Sequence, residues 1–256
     1  MSDSVVPAEG EHLTNGWESD APPEDTLMRR AVLVHASWPL AVAAALGRPW
    51  RRTDRWCGAA IGDTGELSNP IILTQPVPAS EAADLVSEVA ALIPRGAAYF
   101  LLSPWLAPDF SEHGLVLIGH PPVMVRFPAP RPAVARPGVV VDEVRDAETL
   151  AVAERVLIEG FPMPGAAPGS VLRPGLLDGA TRVWLGYVDG RPGARTPPRP
   201  AARGRGAGAA VTWEATLADP AAPAVLVASD DGRPVYERMG YLPIERWTGW
   251  LRPAAA

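Results

Sequence analysis

A pattern that recurs after 126 residues constrains the fold of this chain more than any other feature. The apolar run "AYFLLSPW" at Ala98 and the run "AVLVASDD" at Ala224 both have the length of a strand, and they lie 224 − 98 = 126 residues apart. At the same offset, "PDFSEHGLVLIG" at Pro108 and "PVYERMGYLPIE" at Pro234 align their Pro, aromatic, Gly and Ile residues without a gap. Because chance matches rarely share one offset, we interpret the chain as two halves related by duplication.

A helix is predicted ahead of the first strand of each pair. In the first half, apolar residues recur at helical spacing at Ala82, Leu85, Val86, Val89 and Ile93. Ser80 precedes this stripe and is predicted to be its N-cap. The stripe recurs in the second half at Ala210, Trp213 and Leu217. Each half is therefore predicted to contain a helix, a buried strand, a short helix and a final strand, which together indicate an α/β fold with a mixed sheet.

The similarity between the two halves is lost just before the predicted helix of the second half. Residues 69–74, "NPIILT", form a plausible strand in the first half, but their counterpart at residues 195–200 is "RTPPRP". Proline has no backbone N–H and a fixed φ, so this counterpart is not expected to pair as a central strand. The run "VWLGYVDGRP" ends on the hairpin turn signal Asp189-Gly190, after which no returning strand is predicted. We therefore predict that the second half lacks its third and fourth strands.

Composition divides the remainder of the chain. Residues 1–25 carry seven acidic residues and no Arg, which predicts a disordered acidic tail. The Pro-rich residues 131–137 are predicted to link an N-terminal domain at 26–130 to a second domain at 138–256. A single cysteine, Cys57, excludes an intramolecular disulfide and favours the cytoplasm. The run "RRAVLVHASWPLAVAAALG" is too short and too interrupted to span a bilayer, so it is predicted to be a core helix and no membrane partner is expected.

Charge argues against two classes of partner. The net charge is −6, which disfavours nonspecific binding of nucleic acid, although all 23 basic residues are Arg and several cluster at residues 191–205. That cluster contains no aromatic residues of the kind that stack on RNA bases, so contact with nucleic acid is the weaker alternative. The four His residues have no metal-ligand spacing, and no metal is predicted.

The segment "RGRGAG" lies directly before the second predicted helix and comprises Arg203, Gly204, Arg205, Gly206, Ala207 and Gly208. A Gly-rich approach to a helix N-terminus lets phosphate reach unpaired backbone N–H groups, and the two Arg side chains would add charge. A flexible Arg/Gly linker has the same composition. Spacing alone leaves both interpretations open.

Residues 138–253 resemble the GNAT superfamily of acyl-CoA-dependent N-acetyltransferases, especially its bacterial members. "RGRGAG" matches the superfamily's pyrophosphate-binding pattern R-x-x-G-x-G/A, and "YERMGY" at Tyr236 is similar to the signature that follows it. The resemblance implies a mixed sheet splayed open at its middle, with acetyl-CoA as cosubstrate bound through residues 203–208. It also implies Tyr236 as the general acid and an amine of a small molecule or peptide as the acceptor. Residues 26–130 look like a degenerate half without a phosphate loop.

The chain also departs from the superfamily pattern. The superfamily's fourth strand offers backbone groups to the pantetheine arm, and only "RPGARTPPRPAA" stands in the corresponding interval here. Ser229 and Asp230 fall near the position of the superfamily's usual Asn. Glu159 is the nearest candidate for a general base, but an exposed Glu at a helix end without a catalytic role is the preferred interpretation, and no base is assigned. The alternative is an inactive or truncated acyl-CoA-binding protein. Neither the acceptor nor the oligomeric state follows from the sequence.

Overall fold

The computed structural model describes residues 27–62, 68–130, 138–160, 166–179, 181–192 and 206–255. The predicted acidic tail, the predicted linker and most of the predicted gap, including Arg203, Gly204 and Arg205, lie outside these residues. In chain order, the helices and strands are α1 (Leu27–Ala45), β1 (Trp50–Arg52), β2 (Trp56–Ala59), β3 (Pro70–Leu73), α2 (Ala82–Leu92), β4 (Tyr99–Ser103), β5 (Val116–Gly119), β6 (Pro122–Arg126), β7 (Val139–Glu143), α3 (Ala147–Gly160), β8 (Trp184–Val188), β9 (Arg191–Pro192), α4 (Ala207–Thr216), β10 (Ala224–Val227), α5 (Arg233–Arg238), β11 (Leu242–Arg246) and β12 (Thr248–Arg252).

The largest sheet has six strands in the order β1-β2-β3-β4-β12-β5. β3 and β4 are parallel, whereas the other neighbouring pairs are antiparallel. Successive side chains of a strand point to opposite faces, so Ile71 packs with Leu85 of α2 while Ile72 packs with Ala36 of α1. The two helices therefore cover opposite faces of this sheet. Among the described residues, no helix is long and apolar enough to cross a membrane.

The halves exchange their final strands. β6 belongs to the first half, yet it lies between β10 and β11 of the second half and pairs antiparallel with both. β12 belongs to the second half, yet it lies between β4 and β5 of the first half and is antiparallel to both. Each sheet consequently depends on a central strand supplied by the other half.

A third sheet, β7-β8-β9, joins the fold through α4. α4 contacts both β7 and β8, and its Trp213 also packs on Met124 of β6. On the same sheet, the helix α3 begins after Asp146, whose Oδ1 accepts a hydrogen bond from the Thr149 N–H at 2.8 Å. An Asp before apolar residues at helical spacing, here Leu150, Ala153 and Leu157, predicts an N-cap and an apolar helix face, and the contact confirms the N-cap.

The duplication is visible in the order and spacing of the elements. β5 begins at Val116 and β11 at Leu242, and β6 begins at Pro122 and β12 at Thr248, so both pairs are separated by 126 residues (242 − 116 and 248 − 122). α2 and α4, and likewise β4 and β10, occupy corresponding positions at nearly the same offset. The mixed α/β fold built from two related halves is thus confirmed, while the domain boundary at residues 131–137 stays a prediction.

Three local predictions are wrong. Ser80 does not cap α2, because a 3-10 turn at Ala79–Glu81 precedes the helix and puts Glu81 at the N-cap position, where it makes no side-chain capping bond. Leu157, predicted on the buried face of α3, is 37% exposed. A returning strand does follow the turn at Asp189-Gly190, because β9 pairs antiparallel with β8, although only over two residues. The rest of the predicted gap, residues 193–203, lies outside the described residues.

Arg126, at the end of β6, fastens the exchanged strand to the second half. Its guanidinium is buried and donates to the backbone oxygens of Met239 at 3.0 Å, Ala129 at 2.9 Å and Pro130 at 3.2 Å. It also lies 4.8 Å from the ring centroid of Trp213. One side chain from the first half thereby contacts α4 and the end of α5 together.

Replacing Arg126 with Met is expected to destabilise the protein by about 2 kcal/mol, because the carbonyl of the buried Met239 would lose its donor, at about 1 to 3 kcal/mol, and the Trp213 ring would lose its cation. Urea unfolding followed by tryptophan fluorescence measures this free energy. Arg155→Met is the matched control, since Arg155 is exposed on α3. Equal stability of the two variants would contradict the anchoring role of Arg126.

The strand exchange predicts that residues 138–256 do not fold when produced alone, because β10 and β11 would lose the strand that lies between them. We expect no cooperative thermal transition for this fragment and little dispersion in its amide NMR spectrum. Co-production with residues 1–130 should restore both. A cooperative transition of the isolated fragment would show that the exchange is dispensable.

Candidate active site

The N-terminus of α4 is the one part of the predicted phosphate loop that lies within the described residues. Gly206 occupies the N-cap position in the left-handed region, with φ +84°. Ala207 and Gly208 form the first turn, where helix geometry leaves the backbone N–H groups without intrahelical acceptors. A Cβ built on Gly208 would have no atom of a described residue within 4 Å, so the described part of the chain leaves the space beside this turn open. Three of the six predicted loop residues are therefore placed at an accessible helix end.

Close packing fixes where this helix end points. Gly186 of β8 lies under the first turn, and a Cβ there would come within 2.9 Å of Val211 and within 3.9 Å of Ala207. Trp213, further along α4, is 4% exposed and packs against Met124 of β6, in the second sheet. Because α4 is held between two sheets in this way, its N-terminus has a defined direction.

Two threonines connect the start of α4 to the aromatic residues near its end. The Thr212 hydroxyl donates to the Gly208 carbonyl at 2.9 Å, and the Thr216 hydroxyl donates to the Thr212 carbonyl at 2.6 Å. The Thr216 and Tyr241 hydroxyl oxygens lie 2.6 Å apart. The sequence analysis did not identify these threonines. Two Thr residues four positions apart in a predicted helix do indicate hydrogen bonds from a hydroxyl to the carbonyl one turn earlier.

Tyr236, the predicted general acid, lies on α5 beside this network. Its ring meets Tyr241 edge-on, with the centroids 5.9 Å apart, and it is half-buried. Its hydroxyl makes no hydrogen bond to any described residue, so the phenolic proton is available. Burial raises the pKa of Tyr241, whereas the bond to Thr216 and the charge of Arg126 act in the opposite direction. Tyr241 is thus the inner member of the pair and Tyr236 the outer one.

The two residues at the position of the superfamily's usual Asn have local structural partners. Ser229 Oγ accepts the Gly232 N–H at 3.0 Å and so shapes the start of α5. Asp230 forms a two-point ion pair with Arg246, its shorter contact being 2.6 Å, and this pair holds the pKa of Asp230 below its usual value. Neither side chain stands in for the missing Asn in this arrangement.

One edge of β10 is open in the described part of the chain. β10 pairs with β6 on one side, and no described strand pairs with its other side. The corresponding strand of the first half, β4, has β3 as its parallel neighbour there. At the repeat offset of 126 residues, the sequence counterpart of β3 is residues 196–199, which lie outside the described residues. The first turn of α4 lies beside Gly186 of β8, and Ala209 and Trp213 of the same helix belong to the apolar cluster that contains Leu226 of β10.

Two carboxylates of α3, Glu159 and Glu154, differ in burial and in hydrogen bonding. Glu159, the nearest predicted base, is exposed near the end of α3. Glu154 is 2% exposed and was missed from the sequence; its carboxylate accepts backbone N–H groups from Gly169, Val171 and Leu172. Because three donors satisfy it, Glu154 orders that loop, and no base is assigned.

Comparisons with known proteins support the architecture. No family model matches the sequence, and no curated protein is similar enough to count as a relative. Among solved structures, the chain is similar to a GCN5-related N-acetyltransferase from Kribbella flavida, with 20% identity, a TM-score of 0.58, and coverage of 88% of this chain and 96% of that one.

Two further solved structures agree. A GCN5-related N-acetyltransferase from Sphaerobacter thermophilus has 14% identity, a TM-score of 0.50, and coverage of 90% of this chain and 95% of that one. A functionally unknown conserved protein from Staphylococcus epidermidis has 13% identity, a TM-score of 0.51, and coverage of 80% and 93%. The fold of this chain is therefore that of the GCN5-related N-acetyltransferases.

Proposed function

We propose that this protein is an N-acetyltransferase that moves the acetyl group of acetyl-CoA to an amine of a small molecule or peptide. The observation that carries the proposal is the N-terminus of α4 within a GNAT fold, with Gly206 at its N-cap and no described atom that would block the approach to Gly208. An unpaired cysteine, Cys57, is consistent with a cytoplasmic enzyme. The acceptor's identity is left at the level of an amine.

The residues present fit acetyl-CoA. A pyrophosphate would lie against the backbone N–H groups of Ala207 and Gly208, where the positive end of the helix dipole favours an anion. Gly208 has no neighbour that would block this approach. Arg203 and Arg205 are the cations that we assign to the phosphate oxygens, on the basis of the sequence pattern.

Tyr236 is assigned to the leaving group. As the acceptor nitrogen bonds to the carbonyl carbon and the C–S bond breaks, Tyr236 would donate its phenolic proton to the sulfur. Its hydroxyl is free for this task because no described residue binds it, whereas the Tyr241 hydroxyl is engaged by Thr216. Tyr241 and Thr216 position the outer ring. The proton of the attacking amine passes to solvent, since no described carboxylate is assigned as base.

Substituting Gly208 with Leu is expected to weaken CoA binding at least tenfold, roughly 1.4 kcal/mol, because the new side chain would fill the space beside the first turn. The substitution should leave folding intact, since the backbone of Gly208 is helical and its surroundings are open. Calorimetric titration with CoA measures the affinity. Gly160→Leu, also in open space at a helix end, is the matched control.

Gly206→Leu is a less specific companion, because the left-handed φ at this position adds backbone strain to any steric effect. Unchanged CoA affinity in Gly208→Leu would contradict the phosphate site.

Tyr236→Phe should lower kcat about a hundredfold or more while the affinity for CoA barely changes, because the ring still packs and only the proton donor is lost. Steady-state assays on a panel of amines and calorimetry with CoA separate the two effects. Tyr187→Phe, on β8, serves as a control outside this pair. An equal loss of rate and affinity would assign Tyr236 to packing.

A binding protein without turnover is the second candidate. The observation in its favour is that β10 has no described partner on the side where two prolines, Pro197 and Pro198, stand in the sequence counterpart of β3. Phosphate contacts near water are screened within about 8 Å at physiological ionic strength, so binding through them alone would be weak and strongly salt-dependent. CoA binding with this salt dependence and no turnover on any amine would favour the binding protein, and brisk turnover the enzyme.

A further inference from the structure

A cavity lies in the first half, away from α4. It has a volume of about 540 Å³ and is lined by the end of α2, the turn that leads into β4, Arg252 at the end of β12 and the residues that follow it. This volume falls within the range of about 300 to 1,000 Å³ that is usual for small-molecule sites. The exchanged strand β12 forms one wall, so the cavity exists only when the two halves are joined.

The charged side chains that line this cavity are all of one sign. They are the guanidinium groups of Arg95 and Arg252, and no carboxylate side chain lines the cavity. That is unusual in a protein of net charge −6, in which acidic residues outnumber Arg by 29 to 23. The Arg95 guanidinium is exposed and forms no ion pair with any described residue. The field in the cavity therefore favours an anion.

An unpaired hydroxyl at the cavity wall is the second observation. Tyr99 stands opposite Arg252 in the β4–β12 ladder, and its side chain is 3% exposed. Its hydroxyl has no hydrogen-bond partner among the described residues. Burial raises the pKa of Tyr99, so the phenol stays protonated and is a donor at neutral pH. A buried donor without an acceptor is costly, and a bound oxyanion would satisfy it.

Apart from Ser87 and His113, the remaining side chains that line the cavity are apolar. Val86, Ala90 and Ile93 of the α2 side and Pro253 after β12 line the space between the cationic groups. A bare inorganic anion would leave these surfaces without contacts, whereas a short hydrocarbon would cover them.

We propose that this cavity is a binding site for a small organic carboxylate with an apolar body, held by Arg95, Arg252 and the Tyr99 hydroxyl. The carboxylate accepts hydrogen bonds from the two guanidinium groups and from the phenol, and the apolar body lies along α2. The site is built from residues outside the candidate active site, so it is independent of the proposed acetyl transfer.

Calorimetric titration of the full-length protein with hexanoate tests the proposal. Saturable binding is expected for hexanoate and not for hexylamine, which has the same chain and the opposite charge. Arg95→Met should weaken hexanoate binding by at least about fivefold and Tyr99→Phe by about threefold or more, whereas Arg155→Met, at an exposed position on α3, should leave it within about twofold.

Thermal unfolding supplies a second readout. Tyr99→Phe removes an unpaired buried hydroxyl, so without ligand it should melt no lower than the wild type, and hexanoate should raise its Tm less than that of the wild type. Absence of saturable hexanoate binding, or equal binding by Arg95→Met and Arg155→Met, would overturn the site. Inorganic phosphate binding as tightly as hexanoate would overturn the assignment of an apolar body.

Discussion

The reciprocal exchange of β6 and β12 is the constraint on which the rest of the structure depends. Each strand forms backbone hydrogen bonds with two strands of the other half, so separating the halves would break four strand pairings at once. The exchange also places Arg126 against Trp213 of α4. It builds a second contact between the halves, the apolar cluster in which Trp247 of the second half packs on Ala31 and Val123 of the first. The degenerate half is therefore a structural part of the candidate active site, although it brings no phosphate loop.

Duplication followed by divergence explains why only one half offers such a site. At the start of α2, Glu81 stands where α4 has Gly206, and it pairs with Arg55 at 2.6 Å. The carboxylate of Glu81 at the N-cap position repels phosphate, and its ion pair with Arg55 lies at the same end of the helix. The parallel pairing of β3 with β4 also fills the position that is open beside β10. The first half therefore has neither the glycine start of the helix nor the unpaired strand edge on which the proposed acyl-CoA binding rests. The described part of the second half has both.

The sequence predicted the elements well because each depends on local signals. The 126-residue offset, the stripe that includes Leu85 and Val89, and the glycine start of α4 all reflect spacing along the chain. The strand exchange was missed because strand pairing uses backbone groups that are alike in the two halves, so the pattern of β6 does not say which sheet it joins. Arg126 was missed because a charged residue at a strand end normally indicates the surface, and here backbone carbonyls and the Trp213 ring replace solvent.

The open edge of β10 links the stability of the fold to the proposed ligand. Its residues are half-buried, so backbone groups on that edge are costly unless something pairs with them. The pantetheine arm of CoA carries two amides and is extended, and it can therefore pair with a strand edge much as a peptide does in β-augmentation. α4 lies between β8 and β10, with its N-terminus fixed by Gly186, so phosphate binding at that end would place such an arm along β10. In the proposed function, the edge of β10 that has no partner among the described strands would therefore pair with the pantetheine arm of the cosubstrate.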